Sequence, residues 1–126
     1  MKKTGTVLLT LALAAGLTAA YAADAENGKK LFASPTLGGG TSGKSCLTCH
    51  AGGEGLGSDL FDRKEYTIMG MKKATLAEVI NVCIETPLEG KAIDPKGEEM
   101  QDLMAYIKTL LSKPAKAKKT KQVEGC

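Results

Sequence analysis

Cys46, Cys49 and His50 stand together as C-x-x-C-H, and two more thiols follow, at Cys83 and Cys126. Two cysteines three residues apart lie on one face of a single helical turn. With a histidine directly after them, that spacing suits covalent attachment of a haem. The thiols add to its two vinyl groups, and His50 becomes the proximal iron ligand. The same residues without haem could form a redox or zinc-binding Cys pair. A second signature runs into the first. Gly38 to Ser45 fits G-x-x-x-x-G-K-[ST], a phosphate-cradling loop. That chemistry needs a strand before the loop and a free helix start after it. Ala33-Ser34-Pro35-Thr36 is no strand, and Cys46 and Cys49 occupy the first turn that follows. We therefore expect no nucleotide ligand, and read Gly38–Gly43 as a flexible loop leading into Cys46.

The sixth iron ligand is less constrained. His50 is the only histidine among the 126 residues, so two histidines from one chain cannot flank an iron. Cys83 ends an apolar helical stripe and directly precedes an irregular segment, which makes it the leading distal ligand. An Fe(III) centre would lower its pKa and bind it as thiolate. Two other readings of Cys83 remain, a small buried hydrophobe and a disulfide to Cys126. Met69 and Met71, which flank Gly70, are the alternative distal ligands if their loop folds over the iron. Met100 and Met104 read as core. Neither a second histidine, an acid–base pair nor a cationic pocket marks a catalytic site, so no catalytic residue is assigned.

The elements that must position these residues follow from periodicity. Met100, Leu103, Met104, Ile107 and Leu110 fall on one helical face. Leu76, Val79, Ile80 and Cys83 do so in a preceding helix, with Thr75 as N-cap and Glu78 completing a capping box. Pro87, Gly90 and Pro95 interrupt regular structure before the last helix begins near Gly97.

Glu26-Asn27-Gly28-Lys29-Lys30-Leu31-Phe32 resembles the N-terminal helix of class I c-type cytochromes. Gly97 to Ile107 resembles their C-terminal helix, so the resemblance covers most of residues 24–112. It implies an all-α fold, a single domain around one covalent haem c. It also implies that the two terminal helices cross where a small Gly lets an aromatic approach. Typical members take a distal Met from the segment before the last helix, but Ile84–Lys96 contains none. Val79 to Cys83, followed by Gly97 to Tyr106, is similar to the His/Cys-ligated thiosulfate-oxidising Sox cytochromes. In those proteins the Cys is the distal ligand, and an Arg that this chain lacks stands near it. The small haem heterodimers of anammox bacteria that bind nitric oxide (NO) and carbon monoxide (CO) are similar in size and architecture.

Residues 1–22 read as a secretory signal peptide. Lys2 and Lys3 precede a short apolar stretch, and Ala20-Tyr21-Ala22 forms an A-x-A cleavage site. The alternative is an uncleaved anchor. Export fits haem attachment, which occurs outside the cytoplasm, so the expected compartment is periplasmic or equivalent. Residues 23–112 would form the cytochrome domain. Residues 113–126 read as a Lys-rich solvated tail that could dock an acidic partner or membrane surface. Its Cys126 could also cross-link two chains. The expected roles are electron transfer or NO/CO binding with a redox protein partner or second cytochrome subunit. The alternatives are an ordinary His/Met carrier and the haem subunit of a sulfur-oxidising enzyme. No nucleic-acid partner is expected.

Overall fold

In a computed structural model, residues 21–113 are described. Residues 1–20, most of the expected signal peptide, and residues 114–126, with Cys126, lie outside them. Three longer helices carry the fold. Helix α1 spans Ala25–Ala33, α3 spans Leu76–Glu85 and α4 spans Glu98–Ser112. A one-turn helix, α2, covers Cys46–Cys49. Among the described residues no helix is long and apolar enough to cross a membrane.

Helices α1 and α3 start where side chains satisfy some of their orphan N–H groups. The Asp24 carboxylate accepts from the Glu26 and Asn27 N–H groups at the head of α1. Thr75 Oγ1 accepts from Glu78 N–H, and the Glu78 carboxylate accepts from the Thr75 and Ala74 N–H groups, the capping box expected at that position. Those backbone donors, Thr75 first, hold the Glu78 carboxyl below its ordinary value. Gly97 caps α4.

Helices α1 and α4 make the closest pairing. A Cβ placed on Gly28 would lie 1.9 Å from the Asp102 carbonyl oxygen and 2.9 Å from Tyr106 Cβ. Only glycine lets the two backbones come this near. One turn on, the Phe32 and Tyr106 rings meet edge to face, 5.3 Å between centroids. Such a pair adds about 0.5–1.5 kcal/mol beyond its buried area. Phe32, Ile84, Met100 and Leu103 are almost wholly buried and form the centre of the core. Each apolar side chain contributes about 1.5–3 kcal/mol by leaving water.

Two features differ from the sequence-based expectation. Helices alone were expected, but Tyr66–Ile68 and Met71–Lys73 pair as an antiparallel hairpin, β1 and β2. Its turn residues Met69 and Gly70 both have positive φ, 48° and 74°. This is the sense of a type I′ turn, whose twist matches the strands. Three-residue strands are too short for an alternation pattern to register. The glycine-rich stretch is also no loose leader. Thr41 and Ser42 N–H donate to the Leu88 carbonyl, and Lys91 N–H donates to the Gly38 carbonyl. The stretch is thus bound to the segment that follows Cys83. Helix α1, not a strand, precedes it, so the context that a phosphate-cradling loop requires is not built.

Candidate functional site

Cys46 opens α2 and Cys49 closes it, so the two thiols stand one turn apart, both half-buried. Ser45 caps this turn. Its backbone N–H donates to Thr48 Oγ1 at 2.9 Å. Ser45 itself is buried, which anchors the turn to the body of the molecule.

His50 ends the turn. Its Nδ1 lies 2.9 Å from the Glu54 carbonyl oxygen. A carbonyl can only accept, so Nδ1 carries the proton and Nε2 keeps the lone pair. The chain must double back within five residues to bring that carbonyl round. Gly55, just beyond it, has φ +74°, and a Cβ there would come within 3.5 Å of His50 Nδ1. An imidazole whose Nδ1 is fixed to a backbone carbonyl has the orientation common among metal-ligating histidines.

Helix α3 brings up the opposite wall. Leu76, Val79, Ile80 and Cys83 recur with helical spacing, and all four line one cleft with Cys46 and His50. The apolar stripe read from the sequence is therefore a cleft wall. Phe32 of α1 and Leu103 and Ile107 of α4 form its floor, while Leu56, Leu60 and β1 close the remaining side. The cleft measures about 240 Å³. Tyr66 turns its hydroxyl away from solvent and donates to the Leu60 carbonyl at 2.8 Å, which ties β1 to the loop before it.

The other expected residues lie elsewhere. Cys49 is not on the cleft lining. Met69 and Met71, the alternative distal ligands, are both exposed and also off the lining. Among the described residues, no three His, Cys, Asp or Glu side chains come together as a site for a bare metal ion. A structural zinc takes four protein ligands, and among the described residues the Cys pair belongs to no such group.

Arg63 is a cleft residue that the sequence reading passed over. Among the described residues it is the one permanently charged side chain on the lining. Asp59 grips it with two contacts, Nε to Oδ2 at 2.9 Å and Nη2 to Oδ1 at 2.6 Å. The Arg63 hydrogen bonds hold the Asp59 carboxyl below its ordinary range, and Asp59 in turn raises Arg63. Much of the Arg63 charge is thus compensated at the surface. The signal for it was faint, a D-x-x-x-R spacing inside an irregular segment.

The pairing of thiols, imidazole and apolar walls fits the chemistry of a c-type haem. Cys46 and Cys49 supply the thioether spacing, His50 a pre-oriented nitrogen, and Cys83 a sulfur on the facing helix. Comparison with protein-family models, curated proteins and solved structures gives no match for the chain.

Proposed function

We propose that this chain is an exported mono-haem c-type cytochrome of the His/Cys-ligated kind, acting in electron transfer or in binding of NO or CO within a partner complex. The observation that carries the reading is that Cys46, His50 and Cys83 line one apolar cleft, although Cys83 lies more than thirty residues from the other two in sequence. Cys46 and Cys49 would hold the haem covalently, and His50 and Cys83 would ligate its iron. Bound there, the haem would supply one-electron exchange and affinity for a diatomic gas.

The chain's own residues define what that site can do. Glu54 fixes the His50 ring through Nδ1, so its ligating nitrogen is presented without a tautomer change. The side chains of α1, α3 and α4 exclude water from the faces of any flat apolar group between them. The cleft, about 240 Å³ and lined largely by apolar side chains, would suit a flat apolar group. Cys83 distinguishes this site from an ordinary carrier. A thiolate donates more strongly to iron than a thioether and lowers the potential. The exposure of Met69 and Met71 favours Cys83 over the His/Met alternative.

A haem subunit of a sulfur-oxidising enzyme is the second reading, and Arg63 on the lining is the observation in its favour. That arginine is already engaged by Asp59, which makes it a weak anion site.

The test is the ferric low-spin EPR spectrum of the purified holoprotein beside that of Cys83→Ala. A narrow-anisotropy thiolate signal in the native protein should be lost in the variant while covalent haem is retained. The potential should rise, and exogenous ligands should gain access to the iron. An unchanged spectrum and potential would sink His/Cys ligation.

A further inference from the structure

Asp102 is a buried carboxylate on α4, with no measurable exposure. No local spacing in the sequence singles it out. Three donors from the start of the chain surround it. Asn27 Nδ2 donates to Oδ2 at 2.6 Å, and Asp24 N–H donates to Oδ1 at 2.6 Å. The third is the Tyr21 hydroxyl, which donates to Oδ1 at 2.7 Å. Tyr21 belongs to the A-x-A site, on the leader side of the expected cut between Ala22 and Ala23. Processing would therefore remove one of the three partners of a buried charge.

We infer that the α-ammonium of Ala23, created by processing, takes the place of the Tyr21 hydroxyl on Asp102, so that leader removal installs a salt bridge between the mature N-terminus and α4. Hydrolysis of the Ala22–Ala23 amide consumes one water. It leaves a carboxylate on Ala22 and an ammonium on Ala23. The inference rests on the export reading proposed above but not on the haem.

The geometry follows from covalent lengths. The Ala23 nitrogen is three bonds upstream of the Asp24 nitrogen, so the two are at most about 3.6 Å apart. Since Asp24 N–H already touches Oδ1, the ammonium cannot lie beyond about 6 Å from that oxygen. Opposite charges at this range favour the charged forms of both. The charged groups acting on this point are Asp102 and Glu98 from α4 and Asp24 from the α1 cap, all carboxylates. A phenol cannot neutralise them. Asp102 instead raises the Tyr21 hydroxyl to about 12, with burial adding to the effect. An ammonium offers charge-assisted hydrogen bonds, which are stronger than neutral ones. Burial by itself would push the Asp102 carboxyl up. Its donors, Asn27 first, outweigh that and hold it below the ordinary carboxylate value.

The experiment uses the exported, processed holoprotein. Mass spectrometry first fixes the N-terminus, and NMR then follows titration of its α-amine. The expected result is an N-terminus at Ala23 and an amine that titrates above the ordinary range of about 7.7–8.0. Asp102→Asn should return it to that range. If Asp102→Asn does not fold, a processed chain carrying two extra residues ahead of Ala23 keeps Asp102 and moves the ammonium away. Its amine should titrate normally. A raised folded-state value stabilises the protein below the unfolded value and is lost as pH rises through the folded one. The native urea midpoint should accordingly fall above pH 8, and that slope should be absent in the lengthened chain. A normal amine at an intact Ala23 terminus would overturn the inference and leave export standing. An N-terminus at Met1 would overturn both.

Discussion

The proton on His50 is assigned by a residue whose side chain plays no part. Glu54 contributes its carbonyl, and the turn that delivers it depends on Gly55 at φ +74°. Gly55→Ala would place a methyl group against the imidazole and force a left-handed conformation that costs about 1–2 kcal/mol. We expect that loss in urea denaturation, together with a disturbed proximal-histidine signature in the paramagnetic NMR spectrum of the holoprotein. An unaltered histidine signature would mean that the Glu54 contact does not orient the ring. At this scale the sequence was informative where chemistry is set by short spacing. Cys46, Cys49 and His50 were legible because one helical turn fixes their relation. Arg63 and Asp102 were not, since their meaning comes from partners on other elements or in irregular chain, which no local spacing encodes.

Helices α1 and α4 are joined at three kinds of contact: a backbone approach at Gly28, an aromatic pair at Phe32 and Tyr106, and the Asp102 hydrogen bonds. The first is the least forgiving, because a Cβ at residue 28 meets backbone rather than a movable side chain. Gly28→Ala should cost at least the roughly 1–3 kcal/mol typical of overpacking, read as a lower urea midpoint. A midpoint within a few tenths of a kcal/mol of native would show that the helices can separate freely. The elements themselves were largely readable. Thr75 and Glu78 mark the start of α3 by a capping pattern with a physical reason, and the stripes on α3 and α4 carry through several turns. The hairpin was not readable. Its strands are three residues long, and its turn puts Met69 where Asn or Asp is usual. Nor could periodicity say that the α3 stripe lines a cleft with Cys46 and His50, because an apolar face looks alike whether it meets protein or ligand.

At the scale of the whole molecule, the cleft divides the core. Residues from α1, α3, α4 and β1 meet across it, and Leu103 and Phe32 belong both to its lining and to the most buried part of the protein. A group bound there would complete the interior and stabilise the folded state by linkage. The double variant Cys46→Ala/Cys49→Ala, which lacks both thiols proposed to hold the haem, should therefore unfold at markedly lower urea by circular dichroism than the proposed holoprotein. Equal midpoints would mean that the protein core is sufficient alone. The segment after Cys83 adds a kinetic property to this picture. Asn81 holds it with both ends of its amide, donating to the Ile93 carbonyl at 2.9 Å and accepting from the Ile93 N–H at 3.0 Å. Gly38 and Leu88 secure it midway. With the backbone around it pinned on both sides, release of the Cys83 sulfur from the proposed iron would need only side-chain rotation. The speed of that exchange would be governed by the bond that breaks, with little drag from the viscosity of the surrounding medium.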